Sequence, residues 1–179
     1  MDSKRITRIA LITAVMCILS PFTIYIPISV VPVSLGVFTV FLGIYVLGTK
    51  DALIACLLYV LLGLVGLPVF SGLSGGPMKL FGPTGGYILG YFFIILISGP
   101  VISKTASKWK QAAALVTGVI ACYILGTAWL AFQAHLSFEA ALMAGVIPFI
   151  PADAIKIILI IIVGPKLKTI LSESTISQS

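Results

Sequence analysis

The chain has 179 residues, the size of one domain, yet 60% of its residues are apolar and only 9% are charged. Soluble domains carry roughly 25% charged residues, so the eleven basic and five acidic side chains cannot cover a surface of this size. The composition therefore excludes a water-soluble globule. It predicts an all-α, polytopic membrane protein that forms one integral membrane domain over residues 1–179.

Six apolar segments are separated by charged residues, prolines and clusters of glycine. Each is long enough to cross about 30 Å of hydrocarbon, and we place the predicted spans at about 8–26, 33–49, 52–70, 84–103, 111–134 and 151–168. The stretch Ser71–Thr84 is rich in glycine and proline and is predicted to be a loop. The apolar segment Ser137–Ile150 is too short to cross and is predicted to be an interfacial helix.

The basic residues predict the orientation, because Lys and Arg near span ends favour the cytoplasmic side. With six spans and a cytoplasmic N-terminus, nine of the eleven basic residues lie on the inner face: Lys4, Arg5, Arg8, Lys50, Lys104, Lys108, Lys110, Lys166 and Lys168. Lys79 falls outside, and Lys156 lies within the last apolar run. Both termini are thus predicted to be cytoplasmic. Five spans would place one terminal basic cluster outside.

Signatures of enzymes and metal sites are weak. Cys17, Cys56 and Cys122 each stand alone in an apolar run, which is typical of small core residues, and His135 has no second metal ligand nearby. The stretch Gly43–Lys50 resembles a phosphate-binding loop, but a threonine separates its second glycine from the lysine. No acid and base pair is predicted within the membrane. We therefore expect no cofactor, no metal and no catalysis by this chain.

The motif P-A-D-A-I-K places Asp153 and Lys156 on one helix face, three residues apart. Two such charges cost roughly 5–7 kcal/mol in a membrane span, whereas the eight Ile, Leu and Val residues between positions 155 and 163 return about 2.4–4.8 kcal/mol. Ionisable residues kept at such a position normally face a cavity on a substrate or ion path. The alternative is an internal ion pair that neutralises itself.

The sequence G-P-T-G-G-Y-I-L-G from Gly82 to Gly90 lies at the predicted outer start of the fourth span. Thr84 occupies a natural N-cap position, and the backbone N–H groups of Gly85 and Gly86 would suit an anionic group at the positive end of the helix dipole. Alternatively, Gly86 and Gly90 form a G-x-x-x-G motif that serves close helix packing.

Two further patterns have structural as well as functional interpretations. Ala10 and Ala14 form a small-x-x-x-small pair, which lets a second helix approach closely. Aromatic residues in spans four and five are typical of interfacial anchors, although one or two could line an apolar ligand pocket. These are Tyr87, Tyr91, Tyr123, Trp129 and Phe132.

Together these motifs resemble the BioY family, the biotin-binding S subunits of energy-coupling-factor (ECF) transporters. The resemblance rests on G-L-P-V-F at Gly66–Phe70, the glycine-rich loop, G-P-T-G-G-Y at Gly82–Tyr87 and D-x-x-K at Asp153–Lys156, and it covers residues 5–168. It implies a six-helix protein that captures biotin outside the cell membrane. Its implied partners are a transmembrane coupling subunit and two cytoplasmic ATPases, which would hydrolyse the ATP.

Carried over to this sequence, the family pattern makes Asp153 and Lys156 the polar contacts to biotin. Our hypothesis is that Asp153 accepts hydrogen bonds from the ureido nitrogens and Lys156 donates to an acceptor oxygen. The remaining implied substrate-binding residues are Ser71, Gly72 and Ser74 in the loop and Gly85, Gly86 and Tyr87 at the following helix. Ala10 and Ala14 are implied to dock the coupling subunit.

Other functions remain open on the sequence alone. The chain could be an S subunit for another vitamin, or a stand-alone carrier or channel, although no inverted repeat or proton relay is apparent. A membrane enzyme that acts on a lipid, with Asp153 as the base, is the alternative from a different class.

Overall fold

The computed structural model of the chain describes residues 3–24 and 32–176, with side chains as far as residue 169. In chain order the elements are α1 (Ser3–Leu19), β1 (Thr23–Ile24), β2 (Val33–Ser34), α2 (Gly36–Leu64), α3 (Pro77–Leu80), α4 (Gly85–Lys104), α5 (Lys108–Gln133), α6 (Phe138–Gly145) and α7 (Ile150–Ile176). The predicted spans at 84–103 and 111–134 match α4 and α5 to within three residues at each end, and the span at 151–168 lies within α7, which continues to Ile176. The predicted interfacial helix coincides with α6.

The longest helix, α2, is interrupted at Gly48, whose φ of 75° and ψ of 178° are not helical. A Cβ added at Gly43 would lie 3.8 Å from the Cβ of Ala52, although residues nine apart in a continuous helix are separated by about 13.5 Å. The segments 36–47 and 49–64 therefore fold back on each other. The positive φ at the turn is one that glycine adopts without strain. This break lies close to the predicted boundary between the second and third apolar segments.

The chain is mostly helical, as the all-α prediction states, but it also contains one short region of strand that was not predicted. Helix α1 ends at Leu19, so the first predicted span is too long at its C-terminal end, and β1 and β2 form a short antiparallel ribbon. Thr23 pairs with Ser34, and Ile24 pairs with Val33. Proline cannot continue a helix, and β-branched residues favour strands. The prolines at positions 21 and 32, next to β-branched neighbours, account for this local change.

The predicted loop between the third and fourth spans also contains regular structure. The helix before it ends at Leu64 rather than at residue 70, and a single four-residue turn, α3, interrupts the loop. Two side chains near the end of α5 hold this segment. Trp129 Nε1 donates to the carbonyl oxygen of Gly82 at 2.9 Å, and Gln133 Nε2 donates to that of Phe81 at 2.5 Å. The loop is thus fastened to α5.

Close packing of α4 against α5 depends on glycines. A Cβ at Gly86 would overlap the Cβ of Trp129, and a Cβ at Gly90 would lie 3.1 Å from the Cα of Cys122, nearer than side-chain carbons normally approach. Across the same interface, Ser98 donates to the carbonyl oxygen of Ala114 at 2.9 Å. The G-x-x-x-G motif therefore serves helix packing, which was the alternative interpretation from the sequence.

The outer surface of the helices is apolar. Leu57, Phe93 and Ile124 are 48%, 46% and 66% exposed, respectively, as expected for side chains that contact lipid. Among the described residues, α2, α4 and α5 are each long and apolar enough to cross a membrane, and α6 with α7, bent by 46°, would make a fourth span. The arrangement is that of a membrane protein with several apolar helices.

Candidate ligand-binding site

An ion pair is buried near the start of α7. Lys156 Nζ lies 2.8 Å from Asp153 Oδ1, and the two residues are only 7% and 3% exposed. The backbone N–H of Asp153 donates to the carbonyl oxygen of Phe149 at 2.8 Å, which continues the helix through the pair. The spacing in sequence and the helical turn thus place both charges on one face, as predicted.

Two neighbours form further hydrogen bonds with this pair. Tyr123 on α5 donates its hydroxyl to Asp153 Oδ2 at 2.5 Å, and Lys156 Nζ donates to the carbonyl oxygen of Ser34 on β2 at 2.7 Å. A carboxylate accepts through several lone pairs and an ammonium has three donors. Both groups therefore retain capacity to bind a further polar molecule.

The pair lines a cavity of about 50 Å³ between the ribbon, the loop and helices α4, α5 and α7, with room for about three or four water molecules. Its other polar lining residues are Ser34, Ser71, Thr84, Tyr87, Tyr91 and Tyr123. Val37, Ile88 and Phe149 contribute apolar walls. A charged pair beside aromatic and aliphatic surfaces suits a small molecule that has both polar and apolar parts.

A second, larger cavity of about 460 Å³ shares Asp153 and Tyr123 with the first. It lies between α5, α6 and α7, and its lining is otherwise apolar except for Thr127. Two of its lining residues, Ile120 and Ile150, are 50% and 53% exposed. Asp153, Tyr123 and Thr127 are its only polar lining residues among those described. The smaller cavity also contains Lys156 and further hydroxyl groups, so it is the candidate site for a polar solute.

The three loop residues predicted to bind substrate differ in position. Ser71 lines the cavity. Gly72, with a φ of 76°, donates its N–H to the carbonyl oxygen of Pro21 at 3.1 Å, and Ser74 Oγ donates to the carbonyl oxygen of Ser71 at 2.8 Å. Gly72 and Ser74 thus shape the loop around Ser71 and are not among the residues that line the cavity. Lys79, farther along the loop, is partly buried, and this burial lowers its pKa.

Of the three residues at the start of α4 that were predicted to bind substrate, one lines the cavity and two do not. Tyr87 lines the cavity, donates its hydroxyl to the carbonyl oxygen of Gly145 at 2.9 Å and stacks on Phe149 with ring centroids 6.2 Å apart. Gly85 donates its N–H to the carbonyl oxygen of Gly82 at 3.0 Å, and Gly86 packs on Trp129. Neither glycine is a lining residue of the cavity.

The aromatic residues that the sequence analysis grouped as interfacial anchors differ in whether they line the cavity. Tyr91 is 6% exposed and Tyr123 is half-buried, and both line the cavity, whereas Phe132 is 78% exposed. The sequence analysis anticipated that one or two aromatic residues could line a pocket, and the family resemblance selected Tyr87, but nothing in the sequence distinguished Tyr91 or Tyr123. Ser34 contributes through its backbone carbonyl, which no side-chain pattern reveals. Ala10 and Ala14 are exposed on α1 and do not line this cavity.

Comparison with known proteins identifies the family and supports the architecture of the chain. The family model described as "BioY family" matches residues 1–173. "Biotin transporter BioY" of Thermotoga maritima is 40% identical over 145 residues, which is 81% of this chain and 85% of that protein. "Biotin transporter BioY2" of Lactococcus lactis is 38% identical over 174 residues, covering 94% and 92% of the two chains.

The fold has a solved counterpart as well. A crystal structure described as the S-component for biotin from an ECF-type ABC transporter superposes with a TM-score of 0.86 at 29% identity. The match covers 94% of this chain and 95% of that one. With its apolar helices and a family match over nearly its whole length, the chain is a multi-pass membrane protein that belongs to the BioY family.

Proposed function

We propose that this chain captures biotin at the outer face of the cell membrane, as the S subunit of an ATP-driven ECF transporter. The observation that carries the proposal is the buried Asp153–Lys156 pair, which lines a cavity in a member of the BioY family. Buried charges in a membrane protein are costly and normally mark a functional site. The relatives named as biotin transporters and the matched biotin S-component support this ligand over other vitamins.

The chemistry of biotin complements the cavity. Its ureido N–H groups can donate to Asp153, whose two oxygens each retain acceptor capacity, and its acceptor oxygens can receive the third proton of Lys156. The apolar sulfur ring can pack between Tyr87, Tyr91 and Phe149. Because the cavity of about 50 Å³ is smaller than biotin, binding requires it to widen.

Six membrane spans and two cytoplasmic termini complete this proposal, with residues 1–179 as one membrane domain. The proposed six crossings are helix α1, the two segments of α2 on either side of Gly48, α4, α5 and α7. In this arrangement the basic C-terminal end of α4 and the basic N-terminal end of α5 lie at the same face of the membrane. Because Lys and Arg favour the cytoplasmic side, we assign this face to the cytoplasm. The Asp153–Lys156 pair then lies toward the outer face.

Transport energy would come from partner subunits. We infer a transmembrane coupling subunit and two cytoplasmic ATPases, because an S subunit captures its vitamin and does not itself hydrolyse ATP. The docking surface we assign is the exposed face of α1 that carries Ala10 and Ala14. Small side chains at this spacing allow a partner helix to approach closely.

The first test is equilibrium binding of labelled biotin to the detergent-purified chain, with unlabelled biotin, thiamin and riboflavin as competitors. We expect saturable binding that only biotin displaces, because the relatives and the matched S-component are described as proteins for biotin. Displacement by thiamin or riboflavin would identify an S subunit for another vitamin. Uptake of solute by vesicles that contain this chain alone would instead indicate a stand-alone carrier.

Asp153→Asn should weaken biotin binding by about 100-fold or more, because the neutral amide leaves the Lys156 ammonium buried without its charged partner and can no longer accept from every ureido N–H. Binding of labelled biotin measures this change. Glu139→Gln is the matched control, since Glu139 is an exposed carboxylate on α6. Unchanged affinity in the Asp153 variant would remove Asp153 from the binding site.

Tyr123→Phe should weaken biotin binding by about tenfold, the effect of losing one hydrogen bond to a charged group, while the ring still fills its place. The hydroxyl holds Asp153 Oδ2 and so sets the orientation of the carboxylate. The control is Tyr45→Phe, which removes another buried hydroxyl, bonded to Gln111 Oε1 at 2.8 Å. Equal affinities in the two variants would show that Tyr123 does not position the carboxylate.

Ala10→Trp combined with Ala14→Trp should preserve biotin binding and prevent assembly with the coupling subunit, because two indole rings keep a partner helix from approaching α1. Co-purification with the partner subunits measures assembly. Leu57→Trp with Leu61→Trp provides the control, since these exposed α2 residues have the same spacing on another apolar face. Normal co-purification of the α1 variant would contradict the proposed docking surface.

A further inference from the structure

A separate cavity of about 380 Å³ lies among the basic helix ends, away from Asp153 and Lys156. It is formed by the end of α4, the start of α5, α7 and the first segment of α2. Lys168 on its wall follows Asp153 by fifteen residues, which is about 22 Å along a helix. The cavity is therefore independent of the candidate biotin site.

Three lysines line this cavity, namely Lys104, Lys108 and Lys168, and no carboxylate does among the side chains that the structure describes. Where the structure describes acidic side chains, Asp51 is paired with Arg5 and Asp153 with Lys156, while Glu139 lies on α6. None of them neutralises the three lysines. The cavity thus concentrates positive charge, and this charge favours an anion.

The floor of the cavity is held in place by buried hydrogen bonds. Gln111, only 5% exposed, accepts from Tyr45 through Oε1 at 2.8 Å and donates through Nε2 to the carbonyl oxygen of Thr105 at 2.8 Å. Helix α5 begins beside this network without a side-chain cap from Ser107. The positive end of a 26-residue helix therefore adds to the field of the lysines.

The remaining lining indicates which anion fits. Ile102, Ala106 and Pro165 give the cavity an apolar side, and the cavity lies where the apolar runs of α4 and α5 end. An anion bound here would have polar contacts on one side and hydrocarbon on the other. A phosphate group with attached glycerol and acyl chains has this amphipathic character, whereas an acidic protein segment would not use the apolar wall.

We propose that this cavity binds the phosphate group of an anionic phospholipid at the basic face of the membrane domain. Amine donors and backbone N–H groups are the partners that phosphate oxygens take in proteins. Free phosphate shares this chemistry, but only a lipid also occupies the apolar side. Bound lipid would offset one of the three positive charges and fasten α7 to the α4–α5 connection.

The test titrates the purified full chain in detergent with short-chain phosphatidylglycerol or phosphatidylcholine and counts bound lipid by native mass spectrometry. We expect the wild-type chain to retain phosphatidylglycerol in preference to phosphatidylcholine. The variant with Lys104→Gln, Lys108→Gln and Lys168→Gln should bind phosphatidylglycerol more weakly by about tenfold or more. Each single substitution should give part of that loss.

The matched control is Lys50→Gln with Lys110→Gln and Lys166→Gln. It removes the same charge from exposed lysines that do not line the cavity, and it should retain phosphatidylglycerol. Thermal unfolding of each variant verifies that it is folded. An equal loss in both triple variants would mean diffuse surface attraction and would overturn the proposal. Displacement of the lipid by inorganic phosphate would also overturn it, in favour of a soluble phosphate ligand.

Discussion

The organisation of the site follows from the cost of burying two charges in an apolar protein. Asp153 and Lys156 are almost inaccessible, and a buried pair is tolerated only when its geometry is good and further hydrogen bonds satisfy it. Here Tyr123 from α5 and the backbone carbonyl of Ser34 from β2 supply those bonds. The requirement to satisfy one ion pair thus brings α5, α7 and the short ribbon together around the cavity.

Helix packing positions the partners of that pair. Glycines on α4 let α5 approach closely, with Gly86 against Trp129 and Gly90 against Cys122. Cys122 immediately precedes Tyr123, so the contact that brings α4 to α5 also sets the depth at which the tyrosine hydroxyl meets Asp153. The glycine motif therefore acts on the site through packing, and its effect on ligand binding is indirect.

The sequence predicted what depends on local pattern. Apolar runs located the main helices, the charge and proline pattern located the break near Gly48, and helical periodicity placed Asp153 beside Lys156. The sequence could not reveal contacts between residues that are distant along the chain. Tyr123 differs from other aromatics in α5 only through its position opposite α7, and Ser34 acts through a backbone atom. The ribbon was missed because a few β-branched residues between prolines give a weak signal within a largely apolar chain.

The charge pairing of Asp153 and Lys156 also limits which kind of ligand group can bind beside them. Asp153 and Lys156 already neutralise each other, so a neutral ureido group can approach without leaving a net charge in the apolar interior. A ligand that inserted only a carboxylate would upset this balance, because it would compete with Asp153 for one ammonium. The pair therefore favours a ligand that presents donors and acceptors side by side. On this argument we expect the ureido ring of biotin, rather than its carboxylate tail, to contact Asp153.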